Sequence, residues 1–93
     1  MARELLHADL TEAVIKSFYH VYNTLGYGFL EKVYENALRI SLTKVGLTVK
    51  QQWSIAVNFE GEPVGEYFAD LLVNDAVIIE IKVAKSLALD HEA

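Results

Sequence analysis

The sequence predicts an α/β domain of the α+β type, in which two amphipathic helices precede a three-stranded antiparallel sheet. Apolar residues recur at helical spacing through the first half of the chain. The second half is instead rich in β-branched and aromatic residues. Two short turn signals, "GEP" at 61–63 and "NDA" at 74–76, divide this second half into three strands that form a meander.

The first predicted helix begins at Asp9, which would cap it, with Glu12 three residues later as in a capping box. Gly26 is the residue type that commonly follows the last turn of a helix, so the helix should end there. Its apolar stripe consists of Leu10, Val14, Phe18, Val21 and Leu25.

The second predicted helix spans 29–45 and is closed by Gly46. Its apolar residues form two adjacent stripes. The first stripe consists of Leu30, Val33, Ala37 and Ile40. The second stripe, beside it, consists of Tyr34, Leu38 and Leu42. The strands that follow are predicted at 47–60, 64–73 and 77–84.

The register of the last two strands depends on the length of the second turn, since a shift of one residue moves every side chain to the other face. A two-residue loop would place Asp70 opposite Ile79, with Glu80 on the other face of the sheet. A three-residue loop places Asp70 opposite Glu80. We favour the three-residue loop, because it also sets Leu72 opposite Ile78, two apolar residues.

Two facing carboxylates repel each other by about 4 kcal/mol when the charges are near 4 Å at an effective dielectric constant of about 20. Lys82 offsets part of this repulsion, and a divalent cation between Asp70 and Glu80 would offset it more completely. Hard oxygen ligands suit Mg²⁺ or Mn²⁺. In the alternative interpretation, Glu80 and Lys82 are ordinary charges on a solvated sheet face. The residue pattern alone favours that alternative, because E-x-K is common in strands.

Other candidate residues have simple structural interpretations. Glu31 lies in the first turn of the second helix, where an acid complements the helix dipole and needs no further role. Glu35 is interpreted as a solvated or ion-paired side chain. Three aromatic residues in the strands are interpreted as core or cross-strand packing. They are Trp53, Tyr67 and Phe68.

Composition restricts the class of protein. The chain has no cysteine, which excludes disulfides and thiolate metal sites and is compatible with the cytoplasm. No apolar run reaches the roughly 18 residues of a membrane span. The formal net charge of −5 argues against tight nonspecific binding to nucleic acid unless bound metal compensates for it.

Three motifs in order carry a family resemblance. The run "GFLEKVYENAL" holds Gly28, Glu31 and Tyr34 in a G-x-x-E-x-x-Y spacing, and "VGEYFADLLV" and "VIIEIK" follow it. Together they resemble the GxxExxY family, which is grouped with the PD-(D/E)XK nuclease superfamily. The resemblance implies a restriction-endonuclease-like core that uses Mg²⁺ or Mn²⁺ to hydrolyse phosphodiester bonds in nucleic acid, with DNA as the expected substrate.

The resemblance also implies residue roles. Asp70 and Glu80 would bind the metal, and the carbonyl of Ile81 and the carboxylate of Glu31 would be further ligands. Lys82 would orient or help deprotonate the attacking water and stabilise negative charge that develops at phosphorus. The superfamily usually has a proline immediately before the aspartate, where this chain has alanine.

The last segment, "KSLALDHEA", is expected to begin another helix, and the superfamily core continues from there with a helix and a strand. We therefore expect residues 1–93 to form a single, incomplete nuclease-like domain. An uncovered sheet face and an unpaired edge predict a homodimer. Two functions stay open on the sequence: a metal-dependent nuclease, and a catalytically inactive nuclease fold that serves in binding or assembly.

Overall fold

A computed structural model describes residues 7–83, and it confirms the predicted α+β fold class. Two helices precede a three-stranded antiparallel sheet with strand order β1-β2-β3. The elements are α1 (His7–Leu25), α2 (Glu31–Lys44), β1 (Val49–Phe59), β2 (Glu62–Val73) and β3 (Val77–Ile79). The further helix expected in "KSLALDHEA" lies outside the described residues. Neither α1 nor α2 is long and apolar enough to cross a bilayer.

Helix α1 buries the apolar stripe that the sequence predicted. Leu10, Val14 and Val21 are buried in the core, and Phe18 and Leu25 pack against it. The predicted cap at Asp9 is wrong, because α1 already includes His7 and Asp9 lies inside its first turn. The helix ends as predicted at Gly26, which has a φ of +80° and donates its N–H to the carbonyl oxygen of Tyr22 at 2.8 Å.

Helix α2 begins two residues later than predicted and ends in a Schellman motif. Leu30 precedes it in an extended conformation and makes no side-chain capping bond. At the other end, Leu47 donates its N–H to the carbonyl of Leu42 at 3.1 Å, and Gly46 donates to Thr43 at 3.0 Å. Gly46 has a φ of +96°, which explains why glycine occupies this position.

The buried face of α2 contains the second of the two stripes. The buried side chains are those of Tyr34, Glu35, Leu38 and Leu42. Leu30 and Ile40, which belong to the first stripe, are 79% and 46% exposed. The two stripes are adjacent and similarly apolar, so helical periodicity could not show which of them meets α1 and the sheet.

The first hairpin turns at Glu60 and Gly61, one residue earlier than predicted. Their φ values of +51° and +83° suit a two-residue turn, so Glu62 and Pro63 already belong to β2. The second hairpin has the predicted three-residue loop, residues 74–76, because Leu72 pairs with Ile78.

Strand β3 is shorter than the predicted strand 77–84, since pairing ends with Leu71 opposite Ile79. Leu71 and Val73 point from β2 into the core between the sheet and the two helices. Ile81, beyond the end of β3, is also buried there. Residues 80–83 therefore follow the edge of the core without pairing with β2, and we call them the E-x-K segment.

Candidate functional site

The G-x-x-E-x-x-Y motif builds the turn between the helices. Gly28 has a φ of +108°, a conformation that favours glycine. Tyr34 is buried, and its hydroxyl donates to the carbonyl oxygen of Gly26 at 2.6 Å and accepts the N–H of Phe29 at 3.4 Å. Tyr34 therefore ties the turn to α2 and fixes the start of the helix, where Glu31 lies.

Glu31 contacts the far end of the chain. Its Oε2 accepts the backbone N–H of Val83 at 3.1 Å, across 52 positions of sequence. The helix-dipole interpretation of Glu31 is thus incomplete, because the carboxylate also binds the E-x-K segment.

Asp70 contacts the same segment from β2. In the observed register the next pair after Leu71 and Ile79 would be Asp70 and Glu80, but pairing stops first. Asp70 Oδ2 instead accepts the N–H of Ile81 at 2.8 Å. Two carboxylates from different elements, those of Asp70 and Glu31, therefore bind the backbone immediately before and after Lys82.

Glu80 and Lys82 themselves are exposed. The carboxylate of Glu80 accepts a hydrogen bond from the hydroxyl of Tyr67 at 2.5 Å. Lys82 forms no ion pair with another residue among 7–83.

Three aromatic residues of the strands lie outside the core, so core packing is wrong for them, whereas cross-strand packing stays a prediction. Trp53, Tyr67 and Phe68 are all exposed, Tyr67 to 42%. Lys50 Nζ lies 4.5 Å from the centroid of the Trp53 ring, a cation–π contact. The contact between the Tyr67 hydroxyl and Glu80 could not be predicted from the sequence, because it depends on the residue at which β3 stops pairing with β2.

The pKa of Tyr67 is affected by the negative charge at this end of the sheet. The hydrogen bond to Glu80, some loss of hydration and the negative charges of Glu80 and Asp70 raise the pKa of Tyr67 above its ordinary value. Asp70 and Glu80 therefore both act on the same hydroxyl group.

We expect Glu80→Gln to lower the pKa of Tyr67 toward that of a free tyrosine, because the variant loses the charge that favours the protonated hydroxyl. Because its pKa is raised in the wild type, Tyr67 stays protonated to higher pH than it would without Glu80. Titration of ¹³C-labelled tyrosine by NMR measures this, with Tyr67→Phe assigning the resonance. Asp75→Asn is the control, since Asp75 lies in the second hairpin turn and pairs with Lys50; an equal shift in that variant would contradict the Tyr67–Glu80 contact.

Glu35 is a fourth carboxylate, and sequence reasoning gave it no role in the site. It is only 4% exposed, so the interpretation as a solvated side chain is wrong, whereas an ion pair with Lys32 is present at 3.1 Å. Gln51 Nε2 donates to it at 2.7 Å, and Gln52 Nε2 lies 3.2 and 3.3 Å from its two oxygens. Burial raises the pKa of Glu35, but these donors outweigh burial and the pKa lies below its ordinary value.

The donor types at the E-x-K segment fit a hard divalent cation, because Asp70, Glu80 and Glu31 all supply carboxylate oxygens. Their arrangement is looser than a metal centre: within residues 7–83, no three His, Cys, Asp or Glu side chains form a group that could hold a metal ion. Two of the three carboxylates are instead engaged by backbone N–H groups of the segment.

A helix carboxylate and a strand aspartate thus both meet the E-x-K segment at the edge of the antiparallel sheet. A family model described as the PD-(D/E)XK nuclease superfamily matches residues 8–93, and the chain belongs to this superfamily. No curated protein and no solved structure matches the chain significantly. Membership indicates a nuclease-like function in general terms, and nucleases of this superfamily generally use divalent metal ions.

Proposed function

We propose that this protein is a metal-dependent nuclease that hydrolyses phosphodiester bonds in nucleic acid, DNA foremost, and that it belongs to the GxxExxY family. The observation that carries the proposal is the pair of carboxylate contacts around Lys82. Asp70 binds the N–H of Ile81 and Glu31 binds the N–H of Val83, at 2.8 and 3.1 Å. Acids from α2 and β2 are thus gathered at the segment that carries an acid and an exposed lysine.

In the proposed site, Asp70 and Glu80 would hold Mg²⁺ or Mn²⁺, with the Ile81 carbonyl and Glu31 as further ligands. Such a metal lowers the pKa of a bound water and neutralises phosphate oxygens. It would also reduce the mismatch between a chain of net charge −5 and a polyanionic substrate.

Lys82 would supply the positive charge that the reaction needs at phosphorus. Its side chain is exposed, and among residues 7–83 no carboxylate pairs with it. An ammonium group held beside the scissile phosphate stabilises the negative charge that develops in the transition state and orients the attacking water.

The second candidate is a nuclease fold without turnover that binds nucleic acid or another partner. One observation favours it: Asp70 and Glu31 already serve as acceptors for backbone N–H groups, and the described residues contain no three-ligand metal cluster. Carboxylates with that structural role would be retained even if cleavage had been lost.

A cleavage assay on the full chain separates the two functions. Supercoiled, linear and branched DNA are incubated with the protein and Mg²⁺ or Mn²⁺, with and without EDTA, beside Asp70→Ala protein purified in parallel. Cleavage that EDTA and Asp70→Ala both abolish supports the nuclease. DNA retention without cleavage on every substrate supports the binding module, and cleavage by the Asp70→Ala preparation identifies a contaminating nuclease.

We also propose that the chain forms a homodimer. The half of the β1–β2 hairpin next to its turn exposes apolar side chains, among them Phe59 and Val64. Sedimentation equilibrium at several concentrations tests this proposal, and a constant mass of one chain would contradict it.

A further inference from the structure

Gln52 has an unusual backbone conformation for the interior of a strand. Its φ is +50°, and it lies across from Asp70, between the pairs Gln51 with Leu71 and Trp53 with Ala69. Among residues 7–83, the other non-glycine residues with positive φ lie in the two hairpin turns. Such outliers persist only where their surroundings hold them, and they cluster at functional sites.

The turned backbone brings two consecutive side chains to one partner. Successive side chains of a strand normally point to opposite faces. Here Gln51 Nε2 lies 2.7 Å from Glu35 Oε2, and Gln52 Nε2 lies 3.2 Å from Oε1 of the same carboxylate. The conformation of Gln52 therefore directs its amide toward α2 instead of away from it.

The Gln52 amide also reaches Asp70. An amide nitrogen carries two N–H groups, and Gln52 Nε2 lies 3.4 Å from Asp70 Oδ1 in addition to its contacts with Glu35. The other oxygen of Asp70 accepts the N–H of Ile81 at 2.8 Å. Both oxygens of this carboxylate thus have a donor, one from β1 and one from the E-x-K segment.

We propose that Gln52, anchored by Glu35, is a positioning residue that fixes the orientation of the Asp70 carboxylate toward the E-x-K segment. The proposal rests on the proposed function only as far as Asp70 is a metal ligand. At 3.4 Å the hydrogen bond from Gln52 Nε2 to Asp70 Oδ1 is long and therefore weak. Gln52 thus has a modest effect on Asp70, which it exerts by orienting the carboxylate.

Glu35 is suited to the role of anchor. It is buried, and Lys32 holds it with an ion pair at 3.1 Å. A charged acceptor forms stronger hydrogen bonds than a neutral one, so Glu35 orients the amide of Gln52 firmly. Glu31 lies one helical turn earlier on α2, and one helix therefore supports the E-x-K segment twice: directly through Glu31, and through Glu35, Gln52 and Asp70 in series.

The matched pair of variants is Gln52→Gly and Gln51→Ala. Glycine adopts a φ of +50° without strain, so Gln52→Gly removes the amide and leaves the backbone free to keep its conformation. Gln51→Ala also removes a donor to Glu35, but Gln51 does not contact Asp70. A difference between the two variants therefore isolates the contact with Asp70.

Two measurements on the full chain test the proposal: hydrogen exchange of the Ile81 amide by NMR, and the Kd for Mn²⁺ by calorimetry. We expect Gln52→Gly to speed Ile81 exchange and to weaken Mn²⁺ binding, each by about fivefold, the effect of one weak hydrogen bond. Gln51→Ala should remain near wild type in both, and Tm, recorded for each variant, should not account for the difference.

Wild-type exchange at Ile81 in Gln52→Gly, or equal effects of the two variants, would overturn the proposal. If the wild type itself does not bind Mn²⁺, the proposed metal site fails, while Ile81 exchange still decides the positioning role. Should Gln52→Gly unfold, Gln52→Asn replaces it, because asparagine tolerates positive φ but is one methylene too short to bridge both carboxylates. That variant must then show the same faster exchange at Ile81.

Discussion

Lys82→Ala should reduce metal-dependent DNA cleavage by about a hundredfold or more, the usual loss when one group that stabilises transition-state charge is removed. Mn²⁺ binding should change little, because an ammonium group is not a metal ligand. Cleavage rate and the Kd for Mn²⁺, measured on the same preparation, separate the two effects.

Two further variants make this result specific. Lys44→Ala removes an equal charge from the last turn of α2, at the opposite end from Glu31, and should leave cleavage within about twofold because exposed charges separated by more than a Debye length are screened. Asp70→Asn should lose both Mn²⁺ binding and cleavage, because the amide is a poorer ligand than the carboxylate. Full cleavage by Lys82→Ala would remove Lys82 from the mechanism.

Elements set by local signals were predicted well. The stripe of α1, the glycine at its end and the three-residue loop of the second hairpin each depend on a few neighbouring residues. The loop mattered most for the site, since it sets Leu72 opposite Ile78 and so brings Asp70 beside the E-x-K segment.

Features set by distant contacts could not be predicted. Strand β3 stops pairing with β2 at Ile79. After Ile79, the backbone N–H groups are bound by the side chains of Asp70 and Glu31 instead. The left-handed backbone conformation of Gln52 cannot be predicted from the alternation of apolar and polar residues along β1. Glu35 looked like an ordinary surface acid because its donors Gln51 and Gln52 come from a strand and not from its own helix.

The family of the chain and the proposed roles of its site residues are supported by different observations. Membership follows from the match over residues 8–93. The proposed roles of Asp70, Glu80, Lys82 and Glu31 are supported by contacts that the motif alone does not contain. Those contacts gather the carboxylates of Asp70 and Glu31 at the E-x-K segment.

The second strong prediction concerns the buried face of α2. Leu42→Ala should lower the free energy of unfolding by about 2–5 kcal/mol, because it deletes a core side chain and leaves a cavity. Leu42 is completely buried, between α1 and the sheet. For a domain whose total stability is about 5–15 kcal/mol, that is a large share.

Ile40→Ala is the matched control, because Ile40 lies on the other, more exposed stripe of α2. Ile40 remains 46% exposed, and alanine has the higher helix propensity, so the loss of partial packing is partly offset and the change should stay below about 1 kcal/mol. Urea denaturation followed by circular dichroism measures both variants. Equal destabilisation by the two variants would mean that α2 is rotated about its axis, and Tyr34, Glu35 and their contacts with the turn and with β1 would then have to be reassigned, because all of them lie on the face that contains Leu42.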